Sequence, residues 1–161
     1  MPINQSPVKL VQNPAFGSLL LWKFGTAYQE ESVGRLPNLE LLFLVLPLVL
    51  HKKTLADIAS TMQGSGLGKF VSKLSENRED ILAVHNRALG LRLLTLQSVG
   101  VGLSTKLLAI NYESGDVRAN EAKPPRQPDR LKTALAGAEK LGKWFARVPA
   151  NQVFSLLQVH P

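Results

Sequence analysis

The segment 63–69, Gln-Gly-Ser-Gly-Leu-Gly-Lys, is the part of this chain that comes nearest to a catalytic motif. A Walker loop cradles phosphates with backbone N–H groups. It needs a glycine five residues before its Gly-Lys pair and a hydroxyl residue directly after it, because that hydroxyl reaches magnesium. Gln63 and Phe70 occupy those two positions. The glycine spacing also fails the dinucleotide-binding fingerprint. An ordinary glycine-rich loop is therefore the better interpretation.

The three histidines, His51, His85 and His160, do not have the spacing of a metal site. None stands at ligand distance along the chain from another histidine or a suitable carboxylate, and the residue four positions after His85 is Leu89. We therefore expect His85 to be a structural histidine. The absence of cysteine excludes a thiol nucleophile, a thiolate metal site and a disulfide scaffold.

Serine and carboxylate chemistry is no better supported. Ser65 stands between two glycines, but a nucleophile elbow needs a strand before the serine, and segment 54–63 has the pattern of a helix. The paired carboxylates at 30–31 and 79–80 fall at predicted helix ends, where solvation and the helix dipole account for them. We therefore predict that the chain is not an enzyme and binds no metal or cofactor.

The apolar spacing predicts several helices and one hairpin. Asn13 is a favoured N-cap and Pro14 suits the first helical position, so a helix is predicted over 14–30. A second helix is predicted to begin at Asn38, or to use Pro37 in its first turn, and to run through the leucine-rich stretch, whose length favours a helix over a buried strand. Further helices are predicted over 54–60, over 67–74, over 79–97 and from 129 onward. The helix over 79–97 is predicted to be a core helix, with an apolar face of Ile81, Leu82, Val84, Ala88, Leu89, Leu93 and Leu96. A β-hairpin is predicted over 106–119, and segment 153–157 is predicted to be a buried helical turn or strand.

A mainly α fold with a small β-hairpin is therefore expected, in a winged-helix-like single domain with a C-terminal basic helix. The length of 161 residues and the hydrophobic content of 45% fit one domain with a sizeable core. Within residues 1–161 we expect a helical core with the hairpin as wing over 1–123. A proline-rich hinge follows over 124–128, because each proline disfavours helix in the residue before it. A helical segment over 129–161 completes the domain.

Residues 37–53 form a stretch that is too apolar for a protein surface. Crossing the hydrocarbon layer takes about 20 apolar residues, and this shorter run also contains Glu40 and Pro47. The stretch must therefore be covered by protein, which is the chain's own core, a partner, or both. The candidates for a partner or core face are Leu42, Phe43, Val45 and Leu46.

Positive charge is concentrated near the end of the chain. Residues 118–147 contain eight basic and three acidic side chains, which gives +5 of the net charge of +7. Clustered cations attract phosphate backbones or an acidic protein surface, but a basic stripe is also the ordinary solvated face of a helix. Both interpretations stay open at this point. The candidates for nucleic-acid contact are Arg126, Arg130, Lys132, Lys140, Lys143 and Arg147.

Three segments, 13–16 (Asn-Pro-Ala-Phe), 20–22 (Leu-Leu-Trp) and 41–52 (from Leu-Leu-Phe to Leu-His-Lys), resemble the middle component of three-component ABC systems. The order of the later helices, the hairpin and the basic helix is similar as well. In the families that the chain resembles, such a small subunit is encoded with an SMC-like ATPase and an effector, often a nuclease or protease. Lamassu-type bacterial anti-phage systems belong to this group.

The resemblance implies a non-catalytic adaptor of an anti-phage or anti-plasmid defence complex. Such an adaptor docks on the SMC-like ATPase, holds or positions the effector, and could contact DNA. The resemblance supplies no catalytic residue. The alternative is a stand-alone winged-helix transcription regulator, whose reading helix near 67–74 would offer Lys69, Ser72 and Lys73 to bases. An adjacent gene for a large ATPase would favour the adaptor.

The chain is expected to be soluble and cytoplasmic. Its first nine residues lack a basic region followed by an apolar stretch, which argues against a secretory signal. The absence of cysteine is compatible with a reducing compartment.

Overall fold

The computed structural model describes residues 12–161 and is mainly helical, with one small antiparallel sheet. The elements in chain order are α1 (Pro14–Glu31), α2 (Leu39–Val49), α3 (Lys52–Ser60), a 3₁₀ turn (Gln63–Ser65), α4 (Gly66–Leu74), α5 (Arg78–Gly90), α6 (Arg92–Ser104), β1 (Leu108–Ile110), β2 (Val117–Ala119), α7 (Asp129–Ala146) and α8 (Ala150–Leu157). The predicted mainly α fold with a small hairpin is confirmed. The first nine residues, on which the expectation about a secretory signal depends, lie outside the described range. None of the helices within 12–161 combines the length and apolar character that a membrane crossing requires.

Asparagine side chains begin three of these helices. Asn13, Asn38 and Asn77 each accept a hydrogen bond from the backbone N–H two residues later, at 2.8, 3.1 and 3.0 Å. Each bond satisfies one of the N–H groups that a helix start leaves without an intrahelical partner. The first two helix starts were predicted from the same asparagines.

Helix α1 lies at the centre of the fold, with α6 and α7 packed against it. Glycines allow these helices to approach closely. A Cβ added at Gly142 in α7 would overlap the carbonyl oxygen of Phe24 in α1, and one added at Gly17 would overlap the side chain of Ser98 in α6. The positions of α6 and α7 around α1 therefore require glycine at residues 17 and 142.

The leucine-rich helix α2 is buried in the chain's own core. Seven of its residues are 1% exposed or less: Leu41, Leu42, Leu44, Val45, Leu46, Leu48 and Val49. The helix continues past Pro47 to Val49. One hydrophobic core joins α2 to α1, α7 and α8, so it includes residues from both sides of the predicted hinge.

The helix predicted over 79–97 differs from its prediction in two ways. It is two helices, α5 and α6, which meet at Leu91, and α6 continues to Ser104. Its apolar residues also do not form one core face. Ile81, Val84, Leu94 and Val99 are buried, whereas Leu82, Leu89, Leu93 and Leu96 are exposed. The reason is geometric: the chain packs against only one side of α5–α6, and the apolar residues occupy two sides.

The hairpin is attached to α1 by side-chain hydrogen bonds. Its strands pair in the register Leu108 with Ala119 and Ile110 with Val117. The Gln29 amide of α1 donates to the carbonyl of Ala119 at 3.2 Å and accepts from its N–H at 2.6 Å. Gln29 thus pairs with the backbone N–H and C=O of Ala119 at the free edge of β2, as a third strand would. The winged-helix arrangement itself stays a prediction.

Candidate partner-binding surface

Four leucines on the outer side of α5 and α6 form an exposed apolar row, which we name the leucine stripe. Leu82, Leu89, Leu93 and Leu96 are 49%, 57%, 66% and 44% exposed. Scattered single apolar residues on a surface are ordinary, but four large apolar side chains exposed along two consecutive helices are typical of an interaction site. The stripe is therefore the strongest candidate functional feature of the described chain.

A pocket of about 250 Å³ adjoins the stripe and shares Leu89 with it. Its walls come from the start of α2, from α5–α6 and from α8 with the residues after it. They are Glu40, Phe43, Leu44, His85, Ala88, Leu89, Arg92, Phe154, Val159, His160 and Pro161. Sites for drug-sized ligands usually measure about 300–1,000 Å³. The smaller size and mostly apolar walls of this pocket, which also include Glu40, His85, Arg92 and His160, suit a single inserted side chain better than a cofactor.

The four residues predicted for a partner or core face separate into two groups. Leu42, Val45 and Leu46 are fully buried in the core of the chain. Phe43 is half-buried and lines the pocket beside the leucine stripe. The apolar surface left for a partner is thus mainly on α5–α6, and Phe43 is the predicted residue that reaches it.

Three of the six predicted phosphate-contact residues bind other elements of the chain, outside α7. Lys140 donates from Nζ to the carbonyls of Ile58, Ala59 and Thr61, at 3.2, 3.1 and 2.8 Å. These carbonyls end α3, where a cation also interacts favourably with the helix dipole. Lys140 therefore holds the end of α3 against α7.

Lys143 and Arg147 continue this contact one and two turns along α7. Lys143 Nζ lies 3.5 Å from Gln63 Oε1, and Arg147 donates to the Gln63 carbonyl at 3.0 Å. Arg147 also forms an ion pair with Glu31 at 3.0 Å. The end of α3 and Gln63 of the glycine-rich segment thus occupy the side of α7 on which Lys140, Lys143 and Arg147 lie.

The other three predicted residues lie at the opposite end of α7 and before it. Arg126 and Arg130 are exposed, and their side chains make no ion pair or hydrogen bond to another residue of 12–161. Lys132 pairs with Asp129 one turn earlier at 2.8 Å, and both side chains are mostly exposed. These three residues remain available for a phosphate, and the six do not form one patch.

A polar cluster joins the end of α2, the start of α3 and the middle of α5. Arg87 donates to the Pro47 carbonyl at 3.2 Å and to Thr54 Oγ1 at 3.1 Å. Thr54 Oγ1 lies 2.8 Å from His51 Nδ1. Arg87 already donates to this hydroxyl, so we assign the Thr54 hydroxyl as the donor to His51 Nδ1. The neutral histidine then carries its own proton on Nε2.

The same cluster shifts the pKa values of its members. Burial, followed by the charge of Arg87, lowers the pKa of His51 below its ordinary value of 6.5. Burial also lowers the pKa of Arg87, and a hydrogen bond to Asp80 raises that of the exposed Lys53. A neutral His51 can accept the Thr54 N–H at 3.4 Å and so cap α3. These structural interactions are sufficient to explain the shifted pKa values, so the shifts do not indicate a catalytic role.

The segments that came nearest to catalytic motifs have structural contacts. In the glycine-rich segment the Gln63 carbonyl accepts from Trp144 Nε1 at 2.9 Å, besides its bond from Arg147. His85 Nδ1 accepts from the His160 backbone N–H at 3.2 Å. Within residues 12–161 no group of three or more metal-ligating side chains comes together.

Sequence reasoning placed the stripe leucines in the core, although a signal for their exposure exists. The apolar residues between 81 and 99 cover too wide an angle for one face of one helix. A helix that is apolar all round is expected to be enclosed on all sides, whereas the described chain buries only one side of α5–α6. The wide angle covered by the apolar residues is therefore the sequence signal that some of them lie outside the core.

Taken together, these features define a class: a small, mainly helical subunit whose surface offers an apolar row for another molecule. The family model for the middle component 3 of ABC-three component systems matches residues 3–161. The chain belongs to this family, which confirms the resemblance to a middle component. Searches of curated proteins and of solved structures found no significant match.

Proposed function

We propose that the chain is a non-catalytic adaptor of its ABC-three component system, acting in the cytoplasm. It docks on the ABC ATPase and holds or positions the third component, the effector. From the resemblance of segments 13–16, 20–22 and 41–52, we further propose an SMC-like ATPase, a nuclease or protease effector, and a role in defence against phages or plasmids, as in Lamassu-type systems.

The leucine stripe is the observation that carries this proposal. A middle component belongs to a system of several parts, and the stripe is an apolar surface that the described chain does not cover. Burying one leucine or phenylalanine side chain contributes about 1.5–3 kcal/mol. Leaving four leucines partly exposed is therefore costly for the lone chain, and burying them against another subunit would stabilise a complex.

Co-expression with the ATPase and the effector encoded in the same system tests the proposal. We expect the three chains, or this chain with the ATPase, to elute together from a sizing column. The chain made alone is expected to self-associate or precipitate at high concentration, because the stripe stays uncovered. A stable lone monomer that forms no complex with either component would refute the adaptor and favour the transcription regulator.

The non-catalytic part of the proposal has a separate test. The purified chain is expected to hydrolyse neither ATP nor DNA, because the glycine-rich segment lacks the Walker pattern and its Gln63 carbonyl is bonded to α7. Hydrolysis that disappears on a single substitution in this chain would show a catalytic site and overturn this part.

Contact with DNA is a second proposed role, and the exposure of Arg126 and Arg130 favours it. Replacing Arg126, Arg130 and Lys132 together by glutamine should weaken DNA binding by the complex equally for unrelated sequences. The slope of log affinity against log salt should fall by about 0.9 per lost phosphate contact. Unchanged binding at every salt concentration would exclude this patch.

The control for the DNA experiment is Lys69→Gln in α4. Helix α4 is the reading helix of the alternative regulator, and Lys69 is exposed there, whereas Lys73 already donates to the Ser60 carbonyl at 2.8 Å. An adaptor that binds phosphates near α7 should tolerate Lys69→Gln. A loss of affinity confined to one DNA sequence would instead support base reading by α4.

A further inference from the structure

We infer that the leucine stripe binds one amphipathic α-helix of a partner subunit, with leucine-like residues at heptad spacing and acidic residues along one edge. This inference rests on the proposed adaptor function and names the kind of surface that the adaptor recognises. The partner helix lies along α5–α6, and one of its apolar side chains enters the pocket beside Phe43 and Leu89.

Heptad spacing supports a helical occupant. Leu82, Leu89 and Leu96 are seven residues apart, and Leu93 lies four residues after Leu89 and three before Leu96. Alternating steps of three and four are the spacing by which one helix packs along another. Leu82 and Leu89 are one heptad apart in α5, which is about 10 Å at the helical rise of 1.5 Å per residue, and Leu93 and Leu96 lie in α6, past the break at Leu91. The α5 leucines can therefore contact about two turns of a partner helix, and the α6 leucines continue the row from the next helix.

Asn86 occupies the remaining position of the stripe. It lies four residues after Leu82 and three before Leu89, and its side chain is exposed. A single polar asparagine in an apolar helical seam fixes the register of pairing, at a cost in stability. We infer that Asn86 meets a polar side chain of the partner helix and so sets its register.

Charge beside the stripe selects an acidic partner. Arg78, His85 and Arg92 recur every seven residues along one edge, and both arginines are exposed. Within residues 12–161 no carboxylate forms an ion pair with either arginine. Gln97 stands on the opposite edge, Glu79 precedes Asn86 by seven residues in the row itself, and Glu40 lines the pocket together with Arg92. Opposite charges across a helical seam set the choice of partner, so acidic residues on the partner would complement the arginine edge.

The same charges disfavour a second copy of this chain as the occupant. Antiparallel self-pairing would bring the arginine edges together, with Arg78 of one copy near Arg92 of the other. Parallel self-pairing would place Arg92 beside Gln97, which gives no ion pair. Neither arrangement satisfies the two arginines, whereas an acidic helix satisfies both.

The pocket explains how such a helix would be anchored. Phe43, Ala88, Leu89 and Phe154 give it apolar walls, and Arg92 stands at its junction with the stripe. Binding energy at protein interfaces concentrates in a few side chains that fill such pockets. We therefore expect Phe43 and Leu89 to contribute more to affinity than Leu82 or Leu96 at the two ends.

The test uses the complex of this chain with its ATPase and effector. Leu89→Glu and Leu93→Glu should each weaken the complex at least about tenfold, which corresponds to about 1.4 kcal/mol, while circular dichroism of the chain stays unchanged. Arg92→Glu should weaken it about 1.5- to 5-fold, with a larger effect at low salt. Tyr112→Glu is the matched control, because Tyr112 is 83% exposed at the hairpin turn, away from the stripe.

A cross-link then identifies the occupant. The chain has no cysteine, so Leu96→Cys can carry a single photo-cross-linker at one end of the stripe. We expect it to attach to an amphipathic helix of another subunit that has Asp or Glu beside its apolar positions. Attachment to a second copy, to a strand, or to a helix without acidic residues would overturn the inference.

The outcomes separate this inference from the adaptor proposal. If a complex forms and all stripe variants bind like the parent chain, the inference fails and the adaptor stands. Self-association of the lone chain is expected while the stripe is uncovered, but if the stripe pairs with a second copy inside the assembled complex, the occupant is that second copy and the inference fails. If no complex forms at all, both fail.

Discussion

Replacing Lys140 by methionine should destabilise the fold more than any other single neutralisation among the six predicted phosphate contacts. Methionine keeps an unbranched, flexible side chain of similar length and removes the ammonium group. The three carbonyls of Ile58, Ala59 and Thr61 then lose the donor that they share. Two of them lie at the end of α3, where intrahelical donors are missing.

The size of the effect follows from these bonds. A hydrogen bond to a charged group contributes about 1.5–3 kcal/mol, and a cation at a helix C-terminus about 0.3–1 kcal/mol. The contributions overlap because one ammonium group makes all of them. We therefore expect the free energy of unfolding to fall by about 2–3 kcal/mol. For a chain of this length that lowers the melting temperature by about 4–12 °C.

Lys132→Met is the matched control, since it removes the same charge from the same helix. Lys132 makes one exposed ion pair, with Asp129, and such pairs contribute about 0–1 kcal/mol. Urea unfolding followed by circular dichroism should give a lower midpoint for Lys140→Met and a nearly unchanged midpoint for Lys132→Met. Equal midpoints for the two variants would show that Lys140 does not hold α3, and our division of the basic residues would be wrong.

Two further predictions concern the packing and the polar cluster. Gly142→Ala should destabilise the chain by about 1–3 kcal/mol in urea unfolding, because its Cβ would overlap the Phe24 carbonyl and lie 2.9 Å from the Ala27 Cβ. The control is Gly100→Ala, which has open space around it and should instead stabilise the chain by about 0.5–1 kcal/mol. A Gly142→Ala variant as stable as the parent chain would contradict the close approach of α1 and α7. Because the pKa of His51 is lowered in the folded chain, its contribution to stability is complete above pH 6.5 and is lost as the pH falls through the lowered pKa. The unfolding midpoint, measured from above pH 6.5 down through the lowered pKa, should fall more for the parent chain than for His51→Asn, which keeps an N-cap acceptor that does not titrate. Identical pH profiles for the two chains would refute the role of neutral His51 as the cap of α3.

The helices could be predicted from the sequence because their start signals are local. Asn13 with Pro14, and Asn38, cap the helices that they were predicted to begin. The hairpin was likewise predicted over 106–119 and contains both strands. These features depend on the preferences of a few neighbouring residues, which a single sequence shows directly.

The division of apolar residues between core and surface could not be predicted in the same way. Leu42 and Leu89 are both leucines in helices, yet Leu42 is enclosed by the core and Leu89 is 57% exposed. The difference depends on which side of each helix faces the rest of the chain, and that is a property of tertiary packing. The leucine stripe was therefore missed as a surface.

The basic residues of α7 show the same limit. Charge composition suggested one phosphate-binding patch over 126–147. The structure shows that Lys140 binds α3, while the exposed Arg126 side chain makes no hydrogen bond or ion pair within 12–161. A cation near the C-terminal carbonyls of another helix can be recognised only after both helices are placed.

The central claim, that the leucine stripe is covered by a partner subunit, can be tested by cysteine protection. Leu89→Cys and, as control, Tyr112→Cys each introduce the single cysteine of the chain. Maleimide labelling rates are compared for the chain alone and in the complex with its ATPase and effector. We predict that assembly strongly slows labelling at position 89 and leaves position 112 unchanged. Equal labelling of position 89 in the lone chain and in a verified complex would contradict the claim.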